Sequence, residues 1–470
     1  MNISSLEPFF NPSSVAVIGA SNSPFNLGGT ICNTLKTCEK LRENIYAVNT
    51  KGEDVHGCPG YTSIKDIPAP VELAIIIVAA KAVPAIVHEI AEKGTRNIII
   101  ESAGFSEMGE EGKTMQAEIN KTIRDHNIRV MGPNCLGVLN SHKRFCCFYG
   151  AQEHTFDRVY QNPGSISYVI QSGGLGVLIL ESFATDIVNV NKLVSIGNKT
   201  DVDEADMIDY FSQDETEVIG MFLENVTEGR RMMEAARKCT KPILIYKSGR
   251  TSEGARAAMS HTAGMANNDR IFNAACRQSG IIRLKTIDEL HSMPKMFTSM
   301  PLLKGKNIAV ITNSGAFGGI IADLFAEAGL SMVRLKPETQ EKLSKTGKLF
   351  NTGNPVDIGP AILPETFLKI YEILLQADEV DGLLPIPSVW QEFIINTIVE
   401  LQKMCNHYQK PAATYTPNAV WKTLDIRSKY LVPIFQSPEE AVRALQISYF
   451  QHLSLQKKLS INSGAACSAN

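Results

Sequence analysis

Tyr168-Val169-Ile170-Gln171-Ser172-Gly173-Gly174-Leu175-Gly176 and, further along, Ala309-Val310-Ile311-Thr312-Asn313-Ser314-Gly315-Ala316-Phe317-Gly318 are two copies of one pattern. A short apolar run ends in a polar residue, and a Ser-Gly-small step then opens an apolar helix. A run without polar alternation predicts a strand covered on both faces, as in a parallel sheet with helices on each side. The Ser-Gly step brings a tight turn and a hydroxyl to the strand's end, where free helix amides and the helix dipole suit an anion such as phosphate. A turn that needs glycine for steric reasons alone would account for one copy. Repetition with serine kept favours the anion site.

The same alternation of buried strand and amphipathic helix runs through the chain. Strands are expected at residues 15–19, 44–49, 75–78 and 97–100, with a helix over 83–93 whose apolar face holds Val83, Ile86, Val87 and Ile90. After Asn162-Pro163-Gly164, strands are expected at 165–171, 192–197, 218–224 and 242–247. After Leu302-Leu303-Lys304-Gly305 they recur at 307–312, 331–335 and 382–386. The reading is α/β, with three wound units in series: a Rossmann-like unit over 1–145, and two parallel-sheet units over 160–300 and 305–470. Residues 460–470, small and polar, are expected to be frayed.

A formal net charge of −3 gives no electrostatic case for nucleic acid or an anionic membrane. No apolar run reaches the ~18 residues of a bilayer span, and Met1-Asn2-Ile3-Ser4-Ser5-Leu6-Glu7 lacks the basic start and apolar core of a signal peptide. A cytoplasmic protein is expected. The 10 cysteines are scattered without a C-x-x-C pair, and no histidines stand at metal-ligand spacing, so buried reduced thiols are expected and no metal is implied.

In the first loop, Gly19-Ala20-Ser21-Asn22-Ser23-Pro24-Phe25-Asn26-Leu27-Gly28-Gly29, Ser21 stands where the dinucleotide fingerprint needs its second glycine. The second strand ends in Asn49-Thr50-Lys51 rather than an acid for ribose hydroxyls. Lys51 suits a phosphorylated ribose or a pyrophosphate, which favours CoA or NADP over NAD; a solvated turn lysine is the bland alternative. Among nine histidines, His261 lies in a run of small residues with hydroxyls and two arginines nearby, Gly249 through Gly264. An imidazole with one ring nitrogen unprotonated, and the other fixed by a carboxylate, can attack phosphorus. Glu224, at the end of a strand, is the best such carboxylate. The alternatives are a plain loop histidine and a helix cap.

Taken together, these segments resemble the α subunit of the NDP-forming acyl-CoA synthetases, typified by ADP-forming acetyl-CoA synthetase, and more distantly that of succinyl-CoA synthetase. The likeness rests on Pro12 through Ser21, Gly104 through Gly112, Gly132-Pro133-Asn134-Cys135-Leu136-Gly137, Gln171 through Gly176, Gly197 through Asp203, Ser260-His261-Thr262-Ala263-Gly264 and Asn354-Pro355-Val356-Asp357. It implies a CoA-binding domain followed by two flavodoxin-like domains. By resemblance, Gly19, Ser21, Asn22, Ser23, Asn26, Lys51, Val78, Ala79, Ala80, Ser102, Gly104 and Asn134 would bind CoA. Gln171, Ser172, Gly173 and Gly174 would hold phosphate, His261 would carry a phosphoryl group oriented by Glu224, and Asn313, Ser314 and Gly315 would form a second phosphate site. The implied substrates are CoA, inorganic phosphate and ADP/ATP. No ATP-grasp nucleotide-binding segment and no Walker A motif is visible here, so the nucleotide and Mg²⁺ would come with a separate ATP-grasp β subunit, in a heterotetramer or related assembly. Two other readings stand beside this one: a non-catalytic CoA-sensing protein, and an NADP-dependent oxidoreductase.

Overall fold

The apolar runs of the first unit form strands buried along their whole length: β1 (Val15–Ile18), β2 (Ile45–Val48), β4 (Leu73–Ile76) and β5 (Asn97–Ile100). With the short β3 (Gly60–Tyr61) and β6 (Arg129–Met131) they make a parallel sheet in the order β3-β2-β1-β4-β5-β6. The order reverses between β1 and β4, and the crevice outside the carboxyl ends of such strands is where open α/β sheets bind ligands. The computed structural model describes residues 5–148, 153–182, 189–256, 268–359, 363–388, 392–417 and 420–467. These fall into two compact units that divide at residues 285 and 286.

Helix Val83–Lys93 shows how local sequence fixes these elements. Pro84 sits in its first turn, where no N–H is needed. Val83, Val87, Ile90 and Ala91 are buried on one side, and Gly94 ends it in the left-handed conformation, φ 91°.

The second sheet of the same unit contains β7 (Val138–Asn140), β8 (Phe145–Cys146), β9 (Ile166–Ile170), β10 (Val190–Ser195), β11 (Val218–Leu223), β12 (Ile243–Lys247) and β13 (Ile282–Arg283), in the order β13-β12-β11-β9-β10-β7-β8. The five strands β9 to β13 are parallel with flavodoxin-type order, reversing between β9 and β11. Hairpin β7–β8 extends the sheet antiparallel to β10. Val17, Ile75 and Ile99 of the first sheet share one continuous buried cluster with Val169, Ile219 and Met221 of the second. Interiors packed at crystal density do not slide. The carboxyl edges of the two sheets are therefore fixed relative to each other.

In the other unit, β14 (Asn307–Thr312) pairs along one side with β17 (Gly382–Ile386), and along the other with β15 (Ser331–Met332) and β16 (Val356–Asp357), all parallel. A bridge between Leu383 and Ala412 leads into the parallel pair β18 (Thr414–Tyr415) and β19 (Ile434–Phe435). Asn354 staples this sheet: its Oδ1 accepts from Val310 N at 2.9 Å, and its Nδ2 donates to Ile308 O and Val333 O.

The sequence reading requires correction at the C-terminus, where helix Pro438–Cys467 continues through most of the segment expected to fray. No helix among the described residues is long and apolar enough to cross a membrane. Among the described residues, nine cysteines are free thiols, all buried.

Candidate active site

Strand β9 stops at Ile170 because Gln171 puts a buried amide to work. Gln171 Oε1 accepts from the backbone N–H of Glu224 at 2.9 Å and of Asn225 at 3.2 Å, and its Nε2 donates to Asn225 Oδ1 at 2.9 Å. The ends of β9 and β11, the two strands that flank the reversal in strand order, are thereby tied together. Immediately afterwards helix Gly173–Ser182 begins. Its first-turn amides have no carbonyl within the helix to receive them, so the positive end of the helix stands open at the crevice.

A cavity of about 170 Å³ lies there. Gln171, Ser172, Gly173, Gly174 and Glu224 form one part of its wall, Gly197 and Asn198 a second, and Asn134, Cys135 and Leu136 from beyond the first sheet a third. The two sheets thus meet in one pocket. Asn134, at φ 58°, donates its N–H to Ser102 O at 2.9 Å and its Nδ2 to Asn198 Oδ1 at 3.4 Å. Residues 198–200 run alongside 132–133, with Asn198 N donating to Pro133 O and Thr200 N to Gly132 O. This approach requires glycine at 197: φ is 53°, and a Cβ would stand 2.3 Å from Pro133 O. Burial pushes the Cys135 thiol well up, so it lines the pocket as a neutral group.

The residues expected to bind CoA gather on loops at the carboxyl ends of the first sheet's strands. Gly19 follows β1 at φ 99°, and a Cβ there would lie 2.2 Å from Ile77 O. Asn26 organises the loop after it. Its Oδ1 accepts from Ser21 N and Gly29 N, and its Nδ2 donates to Gly19 O. Asn22 donates to Asp54 O and accepts from His56 N, and Ser23 N donates to Ser21 Oγ. After β4, Val78 N donates to Ser102 Oγ at 3.0 Å, which joins it to the loop after β5. Ala79 and Ala80 continue this turn, and a Cβ on Gly104 would meet Ala80 Cβ at 2.9 Å. Lys51 follows β2 with 74 % of its side chain exposed, 3.6 Å from Glu53.

His261 lies outside the described residues, as does the rest of segment 257–267. Asn313, Ser314 and Gly315 belong to the other unit, where Asn313 Nδ2 donates to Gly359 O and its Oδ1 accepts from Ser388 N. Gln171 and Asn313 occupy the same place in the internal repeat, and both span from one strand's end to the next.

Sequence reasoning gave no role to Gly197, Asn198, Cys135 or Leu136. All four stood inside segments already singled out, but nothing in the spacing signals that residues 132–136 and 197–198 face one cavity. Glu101, following β5, was also missed. It is buried with neither carboxylate oxygen hydrogen-bonded, and burial pushes its pKa well above the carboxylate range. Among the described residues no group of three or more His, Cys, Asp or Glu could hold a metal ion.

Comparison with known proteins adds independent findings. Residues 13–141 match a family model described as a CoA binding domain, and residues 163–297 one described as a succinyl-CoA ligase like flavodoxin domain. The chain is 35 % identical over 454 residues to the acetate–CoA ligase [ADP-forming] II subunit alpha of Pyrococcus furiosus, covering 93 % of this chain and 96 % of that one. It is 37 % identical to acetate–CoA ligase [ADP-forming] II of Archaeoglobus fulgidus, over 87 % of this chain but 61 % of that longer protein. Among solved structures, the Ca. Korarchaeum cryptofilum dinucleotide forming acetyl-coenzyme A synthetase 1, in complex with phosphate and ADP, superposes with a TM-score of 0.88 at 26 % identity, covering 97 % of this chain and 98 % of that one.

Proposed function

Because the chain belongs to the NDP-forming acyl-CoA synthetases, as a chain of their α-subunit type, we propose that it interconverts acyl-CoA, phosphate and ADP with a carboxylic acid, CoA and ATP by way of an acyl phosphate and a phosphohistidine. The single observation that most supports this is the shared pocket: Asn134, from the CoA-binding side, and Gln171 to Gly174, at an open helix start, line one cavity with Glu224. Neither an oxidoreductase nor a CoA sensor needs an anion site there.

In the first step a phosphate oxygen bonds to the thioester carbon and the C–S bond breaks. This gives the acyl phosphate and CoA, whose sulfur takes a proton. The helix amides and the Ser172 hydroxyl face the charge on the transferring oxygens, the main service a protein offers such chemistry. In the second step a ring nitrogen of His261 bonds to phosphorus as the carboxylate leaves, and Glu224 fixes the other ring nitrogen. In the third, phosphohistidine gives the phosphoryl group to ADP. Asn313, Ser314 and Gly315 serve as a second phosphate-holding turn.

Gly19, Ser21, Asn22, Ser23, Asn26, Lys51, Val78, Ala79, Ala80, Ser102, Gly104 and Asn134 contribute the CoA site. In domain terms, residues 1–145 bind CoA, 160–300 form the ligase domain, and 305–470 a second ligase-like domain. The names of α-subunit relatives imply a partner subunit, and an ATP-grasp β chain bringing nucleotide and Mg²⁺ in a heterotetramer fits that role. The test is ATP formation from acetyl-CoA, ADP and phosphate. The purified chain is expected to bind CoA yet make no ATP until a β chain is added. ATP made by the chain alone contradicts this division of labour.

A further inference from the structure

Glu107 stands in the turn after β5, in the segment Gly104-Phe105-Ser106-Glu107, and no step of the reaction uses it. Its two carboxylate oxygens are committed in opposite directions. Oε1 accepts from the backbone N–H of Gly104 at 2.7 Å and of Phe105 at 3.1 Å. Oε2 accepts from Asn198 Nδ2 at 2.6 Å, from a residue 91 positions away in sequence. Gly104 belongs to the loops assigned to CoA, whereas Asn198 lines the anion pocket and receives Asn134 Nδ2 on its own oxygen. Burial opposes charge on Glu107, but the Gly104 amide, Asn198, the residue's own backbone amide and the Phe105 amide more than offset it and hold the carboxyl below its ordinary range. Bonds to an ionised acceptor are the short, strong kind.

The Gly104 end has little slack. At φ 111° its Cα lies so near Ala80 that even a methyl would collide. A cap for the Gly104 and Phe105 amides needs only Oε1. The second oxygen's bond to a pocket residue is what a cap leaves unexplained.

Resting on the acyl-CoA synthetase reading, we propose that Glu107 is a positioning residue that couples the CoA loop to the phosphate pocket, so that CoA and phosphate each bind more tightly when the other is present. Linkage makes the two effects equal. Such coupling keeps the pocket in its phosphate-holding arrangement when the thioester partner is in place.

The experiment measures CoA affinity of the full chain by calorimetry, at constant ionic strength, without and with saturating inorganic phosphate. Wild type is expected to gain at least about fivefold in affinity, the lower end of ordinary coupling. Glu107→Gln keeps an acceptor for Gly104 and Phe105 but turns an amide nitrogen toward Asn198 Nδ2, donor against donor. It is expected to bind CoA alone much as wild type does and to lose the gain. Asn198→Ala removes the same bond from its other end, together with those to Asn134 Nδ2 and Ser106 Oγ, should the first variant fold poorly, and the double variant should lose no more of the gain than Asn198→Ala alone. CoA binding without a phosphate effect in wild type, or an effect undiminished in both single variants, overturns the proposal. Failure of wild type to bind CoA at all contradicts the acyl-CoA synthetase reading, and the proposal falls with it.

Discussion

Glu101 occupies the carboxyl end of β5 with both side-chain oxygens buried and unbonded, in the electrostatic company of Cys135, Cys146 and Cys147, and a Cβ on Gly137 would lie 2.8 Å from its Oε1. Burial alone raises its pKa, so the folded chain keeps a proton that the unfolded chain releases across the ordinary carboxylate range. The folded state then binds more protons than the unfolded one, and stability falls as pH rises above that range toward the folded pKa. Glu101→Gln removes this dependence. Thermal unfolding is expected to show the variant gaining on wild type by up to about 1.4 kcal/mol per pH unit across that window, and little difference at acidic pH. Parallel pH profiles for the two proteins would show that Glu101 is solvated or paired. Single residues were also where the sequence was hardest to read. The serine and glycines after Gln171 form a turn pattern that repeats along the chain, but Glu101 sits in an unremarkable Ile-Ile-Glu-Ser run. Its importance comes wholly from what surrounds it.

At the scale of elements, strands β9 and β14 were legible because each carries an apolar run, Tyr168-Val169-Ile170 or Ile308-Ala309-Val310-Ile311, that leads into the same polar-Ser-Gly step. The hairpin β7–β8 was not, since Val138-Leu139-Asn140 or Phe145-Cys146 is too short to show a period, whereas the two-residue β15 was expected, over the longer span 331–335. The repeat also held a feature invisible in sequence: the polar residue of each copy, Gln171 or Asn313, accepts from a backbone N–H just past a neighbouring strand. The turn at Gly197 matters most to the site, because residues 198–200 lie against residues 132–133 only through its close approach. Gly197→Ala combines a left-handed φ with a 2.3 Å clash against a backbone oxygen. It is expected to lower stability by at least about 1–3 kcal/mol and to abolish phosphate binding. Gly174→Ala, where a Cβ meets nothing within 4 Å, should leave stability unchanged or raise it by up to about 1 kcal/mol. Denaturant melts of both variants check the pair, and equal losses would mean that the 197 turn has no special role.

Across the whole molecule, the fold class was legible because uniformly buried strands alternating with helices leave few architectures open. The assembly of the site was not. It depends on one hydrophobic core running through two sheets, which sets Asn134 opposite Gln171, and a core shared between sheets has no signature along the chain. In the proposed reaction a phosphoryl group held in that pocket passes to His261. The most direct measurement is the intact mass of the full chain after incubation with acetyl phosphate. A gain of one phosphoryl group, labile to acid, stable to base and absent from His261→Ala, is the predicted result. Persistence of the label in His261→Ala, or no label in wild type under conditions where CoA binds, would contradict the account.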